Sequence, residues 1–211
     1  MEMIQQSCGQ FLAQLASKSP APGGGSTAAL VGAAGAALGS MVGSLTTGKK
    51  KYAAVEADIQ ALNARADALR RELEALVQAD TDAFAPLAAA YGLPKDTPEQ
   101  AARRAAVLEA ALDGACAVPL RVMETCAEGI VLAQQYAAKG SVLALSDAGC
   151  SAVLCKAALQ AAGLNVFTNT RLMNDRDHAA QLDAKADTLL DEFVPRADAV
   201  YAAVQGRLRN K

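Results

Sequence analysis

From Tyr52 onward the apolar residues Val55, Ile59, Leu62, Ala66, Leu69, Leu73 and Leu76 recur at alternating steps of four and three. That spacing keeps one face of an α-helix apolar over about six turns, and a strand, with its period of two, cannot produce it. A helix with such a seam must bury it against other helices. Composition points the same way: 52% of the residues are hydrophobic but only 4% are aromatic, and there is no Trp. The apolar content is Ala, Leu and Val, which suits helix interiors better than a pleated sheet. The expected fold is all-α, a multi-helix bundle of long antiparallel helices, roughly six to eight of them. Its 211 residues suffice for one domain with a sizeable core and strain to make two.

The remaining segments can be placed around that seam. A first helix is expected over residues 2–17, with Phe11, Leu12, Leu15 and Ala16 facing inward. Ser19-Pro20-Ala21-Pro22-Gly23-Gly24-Gly25 breaks it, because prolines remove backbone donors and glycines admit unusual backbone angles. Ser26 is the expected cap of the next helix. In that helix Gly32, Gly35, Gly39 and Gly43 form a smooth stripe that lets a neighbour approach closely, at about 1 kcal/mol per glycine relative to alanine. Thr46-Thr47-Gly48 ends it and Lys49-Lys50-Lys51-Tyr52 opens the seam helix. That helix should bend near Pro86 and stop around Gly92-Leu93-Pro94. Thr97-Pro98-Glu99-Gln100 is a helix start with a capping hydroxyl and proline in the first turn. Pro119 is expected to kink or restart this helix, which ends near Lys139-Gly140. Ser146-Asp147 open a shorter helix to Ala162, closed by Gly163, and 164–169 reads as an extended buried connector. A terminal helix through Leu182, Ala186, Leu189, Phe193, Ala197, Val200 and Val204 must accommodate Pro195.

Several function classes fall away. A net charge of −2 gives no electrostatic basis for nucleic-acid binding. The single histidine, His178, rules out multi-histidine zinc sites, and it sits among Asp175, Arg176 and Asp177 as an exposed helix residue. Five cysteines with no CxxC, and no basic or apolar leader at the N-terminus, point to the reducing cytoplasm. The uncharged run from Thr27 to Thr47 is long enough to span a bilayer, but its glycines and alanines mark a buried helix of a soluble protein. The long seams and the glycine-lined helix also suggest a second copy covering apolar surface, hence a homodimer.

Polar candidates are few. The Pro22-Gly23-Gly24-Gly25-Ser26 loop can present bare amides to an anion or a polar heterocycle, or serve simply as a tight turn. It carries no Gly-Lys-Ser/Thr and follows no strand, so a nucleotide loop is disfavoured. Lys49, Lys50 and Lys51 complement the negative end of the preceding helix and also offer a site for an extended anion. Continuing the seam past Leu76 lands on Asp80, a carboxylate where a core residue is due; it must be bonded, paired or functional to offset desolvation. Asp82 lies on another, solvated face. Asp147 reads either as a first-turn helix acid or as a site residue, and Asn165 and Asn169 offer paired amide groups.

The block from Ser19 to Ser26, the small-residue helix, and Leu45-Thr46-Thr47-Gly48-Lys49-Lys50-Lys51-Tyr52 together resemble the formiminotetrahydrofolate cyclodeaminase/methenyltetrahydrofolate cyclohydrolase family. Asp80-Thr81-Asp82-Ala83-Phe84, Ala117-Val118-Pro119-Leu120, Ser146-Asp147 and Asn165-Val166 with Asn169 extend the likeness in order along nearly the whole chain. Pro86, and Phe167-Thr168 between the asparagines, depart from the family's pattern. The resemblance implies an all-helical fold, a dimer or higher assembly, and a tetrahydrofolate derivative as substrate. It also implies that the glycine loop, the lysine run and the seam carboxylate belong to one site. Asp147 is then the leading catalytic candidate, with Asp80 as pterin ligand or second acid/base. Pro22, Gly23, Gly24, Gly25 and Ser26 would line the pocket, Lys49, Lys50 and Lys51 would meet the glutamyl carboxylates, and Asn165 and Asn169 the pterin edge.

Neither family reaction calls for a metal, a nucleotide or an enzyme nucleophile. In one, N10 attacks the formimino carbon and ammonia leaves; in the other, water opens the methenyl bridge. Both need a carboxylate to carry a proton, and an aspartate drawn out of water can do so without histidine. The absence of a fused formiminotransferase favours the cyclohydrolase over the cyclodeaminase. A folate-binding or purely structural helical dimer without activity is the alternative of another class.

Overall fold

The computed structural model describes residues 3–210, all of whose regular structure is helical. Six α-helices follow in order: α1 (Cys8–Leu15), α2 (Gly24–Ser44), α3 (Glu56–Tyr91), α4 (Pro98–Lys139), α5 (Leu145–Thr170) and α6 (Arg176–Arg209). Single 3-10 segments occupy Met3–Gln5, Lys50–Val55 and Val142–Ala144.

The seam builds the core as its spacing requires. Ile59, Leu62, Ala66, Leu69, Leu73 and Val77 are all buried on α3, so the last step is four rather than three and Val77, not Leu76, closes the row. Ion pairs join Asp58 to Lys139, Arg65 to Glu128 and Glu72 to Arg121, so the α4 partner falls in number as the α3 partner rises. These exposed pairs contribute little stability; the buried row beneath them holds the two helices together.

Helix α2 passes between its neighbours, and its glycines explain how. A Cβ added at Gly32 would lie 2.7 Å from Cys126 Sγ, at Gly35 2.7 Å from Cys155 Sγ, and at Gly39 3.1 Å from the Tyr136 ring. The stripe therefore meets α4 and α5 of its own chain, and Ser151 Oγ adds a buried bond to the Gly35 carbonyl at 2.7 Å. Both α2 and the segment 142–170 are long and apolar enough to cross a membrane by composition, and at least half of each lies buried against the other helices.

Several boundaries differ from the sequence reading. The first helix is shorter, Cys8–Leu15, opened by a capping box in which Ser7 and Gln10 exchange bonds; Glu2 lies outside the described residues. The lysine run leads into the 3-10 segment Lys50–Val55, and α3 starts only at Glu56. Helix α4 continues through Pro119 without a restart, and α3 and α6 likewise carry Pro86 and Pro195. The largest correction concerns residues 164–169: they are not an extended connector but the last turns of α5, which runs through Gly163 to Thr170. Leu159, Ala162, Val166 and Thr170 are buried at helical spacing. That burial outweighs the strand preference of Val166, Phe167 and Thr168.

A second, smaller core gathers Leu87, Leu112, Cys116, Met173, Ala179 and Leu182, where the C-terminal end of α3 and the N-terminal half of α4 meet the α5–α6 turn. The groove between this cluster and the start of α2 holds the site.

Candidate active site

Asp80 does not lie fully buried in the seam; it is half-buried and turned toward the first turn of α2. Its Oδ2 accepts from the Ser26 amide and the Ser26 hydroxyl, each at 2.7 Å. Ser26 is fully buried and is not the cap expected from sequence, since Gly23 occupies that position and has no side chain to offer. The carboxylate, 54 residues away, thus satisfies an amide left free at the helix start. Glycine makes this possible: a Cβ at Gly25 would lie 2.0 Å from Asp80 Oδ1. Oδ1 therefore rests over bare backbone, and Asp80 lines the groove beside it.

Asn165 and Asn169, one turn apart, face the same groove from α5. Asn165 Nδ2 donates to the Ala161 carbonyl at 2.8 Å, and a Cβ at Gly24 would approach its amide group to 3.3 Å. Asn169 owes its place to Pro119. A proline has no N–H to return to the carbonyl four residues earlier, so Ala115 is left without its helical partner. Asn169 Nδ2 donates to that carbonyl at 3.0 Å, which pins α5 to α4 beside the groove. Burial pushes the neighbouring Cys116 thiol up to about 11, so it stays protonated near neutrality.

These groups enclose a cavity of ≈ 220 Å³ lined by Pro20, Ala21, Gly23–Gly25, Asp80, Thr81, Ala83, Phe84, Ala115, Asn165, Thr168 and Asn169. Pro22 follows a cis peptide bond and is buried beneath the loop, and Ser26 lies behind Asp80. Gln14 Nε2 donates to the Ala21 carbonyl at 2.9 Å and fixes the loop from α1. Sequence reasoning missed Thr81, Phe84, Ala115 and Thr168. Thr168 was legible as the i+3 neighbour of Asn165 once the segment is helical, and Pro119 was the signal for Ala115. Among the described residues, no three His, Cys, Asp or Glu side chains form a metal-ligand set.

The structure does not bring the other candidates to this pocket within one chain. Asp147 stands in the first turn of α5, 18 residues or about 27 Å along the axis from Asn165. Lys49, Lys50 and Lys51 follow the far end of α2, itself about 30 Å long, and all three are exposed. Within one chain the glycine loop and Asp80 therefore stand in one region and the lysine run and Asp147 in another. Thr46 and Tyr52 act structurally there: Thr46 Oγ1 accepts from Ser141 N at 2.8 Å and the Tyr52 hydroxyl from Val142 N at 3.0 Å, latching the α4–α5 turn. His178 is half-exposed on α6, bonded to Asp113 at 2.7 Å and away from the groove.

An all-α bundle that sets one carboxylate on a helix N-terminus, beside bare glycine amides and two asparagines, defines a small-molecule pocket of the acid/base type. The chain belongs to the formiminotransferase-cyclodeaminase family, whose profile matches residues 7–188. It is 42% identical to a methenyltetrahydrofolate cyclohydrolase of Methylorubrum extorquens, across 94% of this chain and 95% of that one. It is 35% identical to the formimidoyltransferase-cyclodeaminase of Mus musculus, covering 97% of this chain but only 38% of the mouse protein. The crystal structure of a formiminotetrahydrofolate cyclodeaminase from Thermotoga maritima superposes with a TM-score of 0.81 at 26% identity, covering 97% of this chain and 98% of that one.

Proposed function

We propose that the protein is a folate one-carbon enzyme acting on the N5/N10 bridge of tetrahydrofolate, and that its reaction is hydrolysis of 5,10-methenyltetrahydrofolate to 10-formyltetrahydrofolate. The observation that carries this reading is the Asp80 carboxylate, held by Ser26 through one oxygen and lining the cavity beside the glycine loop and the two asparagines. The cyclohydrolase relative, matched over nearly its whole length, supports the choice of reaction.

The methenyl bridge is a cationic amidinium carbon. Asp80 lies beside it as a fixed negative charge, and water adds to the carbon as Asp80 takes its proton. The tetrahedral adduct then loses its hydroxyl proton as the C–N5 bond breaks and N5 takes up a proton. One proton is released overall, and the formyl group remains on N10. Gly23, Gly24 and Gly25 offer backbone, and Asn165 and Asn169 offer amide groups, to the pterin edge; Phe84 at the rim offers a face to the ring system. No bound metal or cofactor is required by this scheme.

We further read the bundle as antiparallel, as the ion-pair register of α3 and α4 supports, and as a soluble cytoplasmic homodimer. A groove of ≈ 580 Å³ lined by Leu38, Val153, Leu154, Tyr201, Val204 and Leu208 leaves apolar surface that a second copy would cover. The five free thiols suit a reducing compartment.

The decisive assay offers both substrates. Loss of methenyl absorbance through hydrolysis, without ammonia from 5-formiminotetrahydrofolate, is expected. Ammonia release without hydrolysis would make the protein a cyclodeaminase, like the enzyme from Thermotoga maritima. Folate binding with neither reaction would leave a binding protein, and no folate binding a structural one.

A further inference from the structure

A second cavity, of ≈ 430 Å³, opens beside the first and is lined by Tyr91, Lys95, Arg104, Leu108, Leu112 and Leu172 among others. The elements are the same. On α3 the lining passes from Phe84 to Tyr91, two turns on the same face; on α4 it passes from Ala115 to Leu112, one turn; and from Asn169 it reaches Leu172, just past α5. The two cavities thus draw their linings from neighbouring turns of the same elements. Their chemistry differs: the first holds the carboxylate and the amides, whereas among the described residues the second is lined by two cations and no acid.

Arg104 is the informative side chain. Among the described residues its Nε is buried and has no hydrogen-bond partner, and its side chain makes a long bond of 3.4 Å from Nη2 to the Tyr91 carbonyl. A buried guanidinium nitrogen without an acceptor is costly, and the guanidinium lining this cavity carries N–H donors of a geometry that suits a carboxylate. Lys95 lies on the exposed α3–α4 loop at the outer edge of the same cavity. The floor between the cavities is apolar, with Leu112 buried and Leu108 half-buried, and Phe84 and Tyr91 stand along one wall.

We infer that this second cavity is the subsite for the glutamyl tail of the folate, with Arg104 receiving a glutamyl carboxylate and Lys95 meeting the next along the chain. The inference rests on the folate reading above. Arg104 lies 11 residues from Ala115, about 16 Å along α4, a separation that an extended p-aminobenzoylglutamate bridges from a pterin seated by Asp80. The benzoyl ring then crosses the apolar floor between Phe84 and Tyr91. Within one chain the lysine run Lys49–Lys51 lies a helix length away from this subsite.

The test measures binding of three probes: 5-formyltetrahydrofolate, its pentaglutamate, and 5-formyltetrahydropteroate, which lacks the glutamate. Lys95→Ala, an exposed loop change, and Arg104→Gln should each weaken the glutamylated probes by about tenfold, the value of a charge-assisted bond, while the tail-less pteroate keeps its affinity. Lys95→Ala should cost more with the pentaglutamate than with the monoglutamate. Equal loss on the pteroate, or no loss on any probe, overturns the tail assignment. So does a selective loss in the Lys49→Ala/Lys50→Ala/Lys51→Ala triple variant instead. If the unaltered protein binds none of the three, the folate reading itself falls, and this subsite with it.

Discussion

The two ends of α2 carry similar ingredients and differ in what surrounds them. At its start, Gly25 leaves room for Asp80, and a groove opens alongside. At its end, Gly43 leaves room for Asn63, whose Oδ1 would lie 1.7 Å from an added Cβ. There Asn63 Oδ1 instead accepts from the Tyr136 hydroxyl at 2.8 Å, a bond spent inside the bundle. Both glycines admit a polar side chain against bare backbone. At the start that side chain lines a cavity, whereas at the end it bonds the Tyr136 hydroxyl. The same device serves structure at one end and a site at the other, and the difference is made by the neighbouring helices.

The largest expected effect is at the pocket end. Asp80→Asn keeps the shape and an acceptor for Ser26 but removes the proton carrier, so turnover should fall by about a hundredfold or more while thermal unfolding changes little. Activity within a few-fold of normal in a folded variant would remove Asp80 from the mechanism. The comparison of glycines comes next. Gly25→Ala should push Asp80 aside and lower both kcat/KM and stability, whereas Gly43→Ala should cost about 1–3 kcal/mol of stability through overpacking with activity per folded molecule preserved. Equal activity losses would mean that the far end communicates with the site.

Asp147→Asn and the triple lysine-to-alanine variant sharpen the contrast further. In a single-chain site their effects on turnover should stay within about threefold, since each group is a solvated helix-end charge of a few tenths to about 1 kcal/mol. A loss at Asp147 matching that at Asp80 would show that the far end of one chain completes the pocket of another, and the activity of the unaltered protein should then fall as the dimer dissociates on dilution. The smallest effect concerns the thiols. At neutral pH a thiol reagent should modify Cys8 and Cys150, which are exposed, and spare Cys116, Cys126 and Cys155. Burial raises the Cys116 thiol from 9.0 to about 11 and Cys155 to about 12. The unfolded chain therefore ionises these thiols first, so their contribution to stability is complete below pH 9.0 and is lost as pH climbs through the folded values. Unfolding curves flat from pH 8 to 11 would contradict this.

Much of the fold was legible because the informative signals were local or periodic. The α3 seam, the Thr97 capping box and the breaker at 19–25 each state their own structure in a few residues. Asp80 announced itself by interrupting a periodic row. The reading failed at 164–169, where Val166 and Phe167 favour a strand in isolation and only burial against α2 and α4 keeps them helical. It failed again at Ser26, whose hydroxyl was read as a local cap and is held instead by a carboxylate distant in sequence.

By itself, then, the sequence determined that this chain is helical and that breaks fall at 19–25 and ahead of Thr97, because each of these depends on neighbours within a turn or two. Which of the polar side chains share a pocket was decided only by the tertiary structure. Rigid helices some 20 residues long place their two ends about 30 Å apart, so residues in adjacent motifs can be far from each other while Asp80, Ser26, Asn169 and Ala115 meet across four different helices.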